Sequence, residues 1–138
     1  MREIKKRSGC AVSNALDLIG DKWTLLIIRD LLFYDKNTYG DFLKSDEKIA
    51  TNILADRLTL LENNGIIKKQ VHPENKTKYL YRITEKGLDL LPIIAELVLW
   101  SIKHLNINIS NKSFAPKLLR NKEEALEEVR QKIRSQMA

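Results

Sequence analysis

The sequence contains a single cysteine, Cys10, among 138 residues. One thiol cannot form an internal disulfide or a four-thiolate zinc site, and such a low count is typical of a reducing compartment. No apolar run approaches the roughly 18–20 residues that a membrane-spanning helix requires. Residues 1–7 are charged and lack the apolar stretch of a secretory signal. These absences predict a soluble, cytoplasmic protein with no membrane partner.

Glycine (5) and proline (3) are also scarce, and no repeat or low-complexity tract occurs. With 43% hydrophobic residues, the chain has enough apolar material for the core of one ordinary domain. His72 and His104 lie far from each other and from Cys10 in sequence, so we predict no metal site. There is no glycine-rich phosphate loop, nucleophile elbow or cysteine–histidine signature, so we predict no catalytic residues, no cofactor and no enzyme activity.

The net charge of +6 at pH 7 belongs to the two ends of the chain. Residues 1–10 and residues 105–138 each contribute +3, whereas residues 11–104 contain thirteen basic and thirteen acidic residues. Overall basicity therefore does not by itself indicate a nucleic-acid partner. A local basic patch does exist, because residues 66–86 contain six basic residues and only two acidic ones.

Apolar spacing and capping residues predict two helices near the N-terminus. The first is short, over residues 13–19, and we expect Gly20 to end it in the left-handed conformation. The second covers residues 21–32 and has one wide apolar face.

The next segment predicts a helix-turn-helix. Thr38, followed three residues later by Asp41, forms a candidate capping box for a short helix over residues 39–45. After a polar turn, a longer amphipathic helix begins near Ile49 and ends at Gly65, which is expected to be left-handed. A short helix, a tight turn and a longer helix are typical of this motif.

Two strands and a long helix follow. Residues 66–71 and 79–84 are rich in β-branched and aromatic residues, and the turn chemistry between them predicts a hairpin. A hairpin directly after a helix-turn-helix, with lysines at its tip, is a wing. Residues 85–104 predict one long helix, kinked near Leu91 because of Pro92. The fold class is therefore mainly α with a small β-hairpin (α+β).

Apolar residues occupy more than one face of the long helix, and a small domain cannot bury all of that surface internally. We therefore predict a homodimer interface, formed by Leu91, Val98, Trp100, Ile102 and Leu105. Residues 106–116 read as a polar connector and residues 125–137 as a further amphipathic helix. We predict a single domain over residues 1–138, with a winged core over 10–104 and the connector and amphipathic helix over 105–138. The role of residues 105–138 stays open.

A set of short segments occurs in a distinctive order along residues 10–104. They are Cys10-Ala-Val12, Ile19-Gly-Asp-Lys-Trp23, Ile49, Leu54, Arg57-Leu58, Leu61-Glu62, Gly65-Ile-Ile67, Tyr81-Arg-Ile-Thr84, Gly87 and Trp100. This order resembles the HxlR-type winged helix-turn-helix transcriptional regulators. The resemblance implies a dimeric DNA-binding regulator in which the terminal helices form the dimer and the wing contacts the DNA backbone.

The sequence departs from the family pattern at several positions. Ala11 replaces a proline, Asp21 replaces a glycine, and Ala50 stands where a serine usually caps the recognition helix. Thr38-Tyr39 replaces an Arg-Phe pair at the start of the third helix. The resemblance places Thr38 and Tyr39 among the DNA-contacting residues, but the phosphate-binding arginine is absent.

The recognition helix and the wing supply the other predicted DNA contacts. Thr51, Asn52 and Ala55 lie on the outer face of the predicted recognition helix, where an asparagine can pair with adenine and an alanine can contact a thymine methyl group. Four lysines of the wing are candidate phosphate contacts: Lys68, Lys69, Lys76 and Lys78. The alternative interpretation is a solvated helix face and a solvated strand edge.

Two interpretations of Cys10 are open. Some members of the family that the sequence resembles sense oxidants or electrophiles through a cysteine at this position, and nearby basic residues and a helix start favour a thiolate. Alternatively, Cys10 is a small apolar residue packed at an interface. Trp23 and Trp100 could line a ligand pocket, although core or dimer contacts are the favoured interpretation.

Together these observations predict a homodimeric, sequence-specific DNA-binding regulator, with repression as the favoured mode. It would bind double-stranded DNA at a pseudo-palindromic operator whose half-sites lie about one helical turn (~34–36 Å) apart. An oxidant, an electrophile or a small molecule would be its signal. The alternative is a winged-helix module that serves only protein–protein contact. The operator sequence and the choice between repression and activation stay open.

Overall fold

The structure is a computed structural model that describes residues 3–137. Met1 and Arg2, which belong to the basic segment of residues 1–10, and Ala138 lie outside the described residues. The elements in chain order are α1 (Ala11–Ile19), α2 (Lys22–Phe33), α3 (Tyr39–Leu43), α4 (Thr51–Asn63), β1 (Ile67–Val71), β2 (Tyr79–Ile83), α5 (Glu85–Leu88), α6 (Leu91–His104), α7 (Ala115–Arg120) and α8 (Lys122–Met137). The predicted fold class, mainly helical with one antiparallel hairpin, is confirmed.

Helix α2 lies at the centre of the molecule. It packs against α1, α4, α6, α8 and strand β2. Ile28 and Leu32 have no exposed surface, and fully burying such a side chain stabilises a fold by about 1.5–3 kcal/mol. Asp21 caps the helix, since its carboxylate accepts a hydrogen bond from the Thr24 backbone N–H at 3.1 Å.

Two of the expected helix ends are confirmed, and two differ. Thr38 and Asp41 form the predicted capping box, and Gly65 has a φ of 73° after α4. Gly20, by contrast, is right-handed (φ −72°, ψ −13°), because the chain changes direction at the extended cap residue Asp21 instead. The first helix also begins earlier than residue 13, with Cys10 as its cap residue.

The base of the hairpin is buried, its tip is exposed, and helix α5 approaches its base closely. Ile67 pairs with Ile83 at its base, and both are buried, while Val71 pairs with Tyr79 near the exposed tip. A Cβ atom at Gly87 would collide with the Ile66 carbonyl oxygen, so only glycine allows α5 to approach the hairpin this closely.

The long helix predicted over residues 85–104 is interrupted. Asp89 ends α5, and α6 begins at Leu91 with Pro92 in its first turn, the position where proline costs a helix little. The prediction of a single kinked helix is therefore wrong at this point, because proline starts a new helix instead of bending an existing one.

The C-terminal segment packs on its own domain. A short helix, α7, occupies residues that the sequence assigned partly to a polar connector, and Phe114 just before it stacks on Phe33 of α2 at 4.5 Å. Helix α8 buries Ala125, Leu126, Val129 and Ile133 in the core. Helices α7 and α8 therefore pack on their own domain, whereas Leu105 and Ile107 before them are exposed.

Ion pairs also connect α8 to the rest of the fold. Lys132 contacts Asp35, just after α2, at 3.3 Å, and Arg134 contacts Glu85 of α5 at 3.0 Å. Within residues 3–137 no helix combines the length and the apolar character that crossing a bilayer would demand.

Candidate nucleic-acid interface

Helices α3 and α4 and the turn between them form the helix-turn-helix, and an ion-pair network fixes this turn to α2. Asp30, only 2% exposed, accepts hydrogen bonds from the Ser45 hydroxyl (2.6 Å) and from Arg29 Nη2 (2.7 Å). Arg29 also donates to both carboxylate oxygens of Glu47 at 2.8 Å, and Lys36 donates to the Ser45 hydroxyl at 2.9 Å. Ser45 and Glu47 belong to the turn, so the network sets the position of α4.

The start of α3 is stabilised by its capping box. The Thr38 hydroxyl accepts from the Asp41 backbone N–H, and the Asp41 carboxylate accepts from the Thr38 and Asn37 backbone N–H groups. Burial acts to raise the pKa of Asp41, but these hydrogen bonds outweigh it and hold the pKa below its usual value. Thr38 is therefore a partly buried capping residue.

Tyr39 joins α3 to α4. Its hydroxyl donates to the Thr51 carbonyl oxygen at 2.8 Å, and its ring packs against the core. Ala50, the cap residue of α4, has no hydroxyl or carboxylate to accept from the first N–H groups of that helix. No side chain caps these N–H groups. Backbone N–H groups at the start of a helix can bind phosphate.

Helix α4 separates an inner face from an outer face. Leu54, Leu58 and Leu61 are buried against the core, whereas Thr51, Asn52 and Ala55 are exposed. The structure thus brings the three predicted base-contacting residues together on the first turns of one helix.

Two charged neighbours of this face are engaged within the protein. Arg57 pairs with Asp21, the cap residue of α2, at 2.9 Å and with Asp56 at 2.6 Å. The hydrogen bond from Arg57 outweighs burial and holds the pKa of Asp21 below its usual value. Arg57 therefore connects α4 to α2, and its pairing with Asp56 offsets the negative charge of that side chain beside the exposed face.

The wing carries its lysines on both faces and at its tip. Lys68 and Arg82 are register partners and add two positive charges to one face. The Lys69 ammonium lies over the Tyr79 ring, 4.1 Å from its centre, on the other face. Lys76 and Lys78, the remaining predicted contacts, lie in the turn between the strands and are exposed.

Cys10 is exposed and caps α1. Its backbone N–H donates to the Ser8 hydroxyl at 3.2 Å, so the thiol itself is not held by this contact. Arg7, one of the cations expected to favour a thiolate, forms an ion pair with Asp17 at 2.6 Å.

The predicted dimer residues separate into three groups by exposure. Trp100 (58% exposed) and Leu105 lie at the surface, and Val98 and Ile102 are partly buried. Leu91 has no exposed surface and belongs to the core, so its assignment to a partner interface is wrong. Further exposed apolar residues, which the sequence did not predict for the interface, lie on α1, on α6 and just after α6: Val12, Leu16, Ile93, Leu97, Ile107 and Ile109. The four-residue spacing of Val12 and Leu16 was the available signal.

Within the described residues, no group of three or more histidine, cysteine, aspartate or glutamate side chains is arranged to hold a metal ion.

Comparisons with known proteins agree with this geometry. The profile of the HxlR-like helix-turn-helix family matches residues 18–109. The HTH-type transcriptional regulator YodB of Bacillus subtilis is 34% identical over 90 residues, which cover 65% of this chain and 80% of YodB.

Two solved structures have similar folds. The quinone-bound form of YodB from B. subtilis has a TM-score of 0.55 and 30% identity, covering 67% of this chain and 96% of that one. The redox regulator HypR in its oxidised form has a TM-score of 0.62 and 27% identity, covering 71% of this chain and 100% of that one. The exposed recognition helix, the basic wing and these matches lead to one conclusion: the chain belongs to the HxlR-like helix-turn-helix family, whose members are DNA-binding transcriptional regulators.

Proposed function

We propose that this protein acts as a homodimer that binds a pseudo-palindromic operator, represses transcription there and catalyses no reaction. In each subunit, Thr51, Asn52 and Ala55 of α4 face the major groove and the lysines of the wing contact phosphates. The N–H groups at the start of α4 supply a phosphate contact where the family's arginine is missing.

The observation that carries the dimer is the exposed apolar surface of α1, α6 and the segment after α6. Eight large apolar residues are exposed there: Val12, Leu16, Ile93, Leu97, Trp100, Leu105, Ile107 and Ile109. Large exposed apolar side chains often mark protein–protein interfaces, and a two-fold interface would cover the same residues on both copies. We refer to this set as the apolar face.

Selection of bound sequences from random duplex DNA at fixed salt tests the proposal. We expect enrichment of sites with two-fold symmetry and half-sites about one helical turn (~34–36 Å) apart. A footprint with no symmetry, or a strictly monomeric protein at micromolar concentration, would contradict it. Affinity no greater than that of a generic basic protein, lost at modest salt, would support a module for protein–protein contact instead.

We further infer that Cys10 makes DNA binding sensitive to quinones or oxidants. Its thiol is exposed, and the similar proteins include a quinone-bound YodB and an oxidised HypR. Addition of the thiol S–H across a quinone C=C bond would form a thioether and leave a hydroquinone at the start of α1, beside Val12 of the apolar face.

Quinone treatment of wild type and Cys10→Ser tests this role. We expect treatment to weaken DNA binding by wild type alone, with untreated Cys10→Ser binding as wild type does. Equal responses of the two proteins would exclude Cys10 as the sensor.

A further inference from the structure

A cleft of about 250 Å³ lies between the end of α2, the start of α7 and one face of α8. Leu32 and Phe33 of α2, Phe114 and Val129 border it, and its exposed apolar surface comes mainly from the partly buried Phe33 and Phe114 rings, because Leu32 and Val129 are buried. The Phe33 and Phe114 rings stack with their centres 4.5 Å apart and their planes 17° apart. The cleft therefore offers aromatic surface whose geometry is set by the Phe33–Phe114 stack.

The charged residues around this cleft are mainly positive. Lys112, Lys117 and Lys132 line it, with Glu128 as the only acidic lining residue. Lys117 contacts Glu128 at 3.4 Å, and Lys132 contacts Asp35, which does not line the cleft, at 3.3 Å. A negatively charged group entering here would meet more positive than negative charge.

We propose that this cleft binds a small aromatic carboxylate. Its ring would pack against Phe33 and Phe114, and its carboxylate would lie among the three lysines, where charge-assisted hydrogen bonds are strong. The volume is slightly below the roughly 300–1,000 Å³ of typical small-molecule sites, so a ligand of one or two rings fits it. Residues 112–132 lie beyond the segment that the family profile matches, so the cleft depends on this chain's own C-terminal helices.

Binding at this site would be coupled to the wing. Helix α8 supplies Val129 and Lys132 to the cleft and also packs against β2. A ligand carboxylate would compete with Asp35 for the Lys132 ammonium and so weaken one connection between α8 and the end of α2. This regulatory consequence rests on the proposed function, whereas ligand binding itself does not.

The test uses 1-naphthoate as the anionic probe and 1-naphthalenemethanol as its uncharged match. Isothermal titration calorimetry of the full chain should give a Kd of about 1 mM or tighter for 1-naphthoate. Amide NMR shifts should change at residues 112–117 and 128–132. The uncharged alcohol and the double variant Lys112→Gln/Lys117→Gln should each bind about tenfold more weakly. The variant Lys6→Gln/Lys44→Gln, which removes two charges from other exposed positions, should bind as wild type does.

Three results would overturn the site: no binding at about 10 mM probe, equal affinity in Lys112→Gln/Lys117→Gln, or NMR shifts confined to other residues. If 1-naphthoate binds in the cleft, operator affinity should change about fivefold or more. Unchanged operator affinity would refute the coupling. A protein that binds 1-naphthoate but no DNA would contradict the proposed function while confirming the site.

Discussion

Replacing Trp100 with alanine should weaken the homodimer without unfolding the subunit. A tryptophan side chain offers roughly 200 Å², and Trp100 is 58% exposed in the single chain. Because a two-fold interface counts each residue twice, about 230 Å² is available, equivalent at most to about 6 kcal/mol at 25 cal/mol per Å². Incomplete burial and the remaining alanine reduce this to about 3 kcal/mol, or roughly a 150-fold rise in the dimer Kd.

Sedimentation equilibrium over a dilution series measures this Kd, and thermal unfolding checks the subunit. Tyr34→Ala is the matched control, since Tyr34 is 51% exposed but lies at the end of α2, outside the apolar face. It should leave the dimer Kd unchanged. A Trp100→Ala protein that dimerises as wild type does would refute the assignment of the apolar face to the dimer.

Three further results are expected. Lys76→Ala combined with Lys78→Ala should weaken binding to all DNA sequences and lower the salt slope by about two, as measured by titration at several salt concentrations. Asn52→Ala should relax preference at one base pair by about 1–3 kcal/mol, as measured with single-substitution operators. The hydrogen bond from Arg57 lowers the pKa of Asp21 in the folded protein. The Asp21 carboxylate therefore stabilises the fold at pH values above its unfolded pKa of about 3.9. That stabilisation is lost as the pH falls through the lower pKa of the folded state. The free energy of unfolding, measured with denaturant, should therefore fall less steeply between neutral pH and about pH 3 for Asp21→Asn than for wild type.

Different findings would contradict each of these. An unchanged salt slope excludes phosphate contacts by the wing tip, and a uniform loss across all operators excludes base readout by Asn52. Identical acid dependence in Asp21→Asn and wild type would show that the Arg57 pair contributes nothing to stability.

The features that the sequence predicted correctly are governed by local chemistry. The capping box of Thr38 and Asp41 and the positive φ of Gly65 follow from a few neighbouring residues, and both occur where expected. The hairpin also follows from strand and turn residues, and it begins and ends within one residue of the prediction.

The errors concern features set by distant parts of the chain. Helix α7 was missed because its burial depends on Phe114 reaching Phe33, some eighty residues earlier in sequence. The apolar spacing of the long helix placed Leu91 in the predicted interface, but in the structure its side chain is buried in the core of its own domain. The charge network of Arg29, Asp30 and Glu47 was likewise invisible, since it joins α2 to a turn that sequence spacing alone does not place beside it.

The central position of α2 has a genetic consequence. This helix packs against α1 and α6, which carry much of the apolar face, against α4, and against α8, which lines the cleft. Substitutions that leave operator affinity intact yet abolish the response to a signal should therefore map to the buried positions of α2, such as Ile28 and Leu32. A screen for reporters that stay silent in the presence of the signal would recover them.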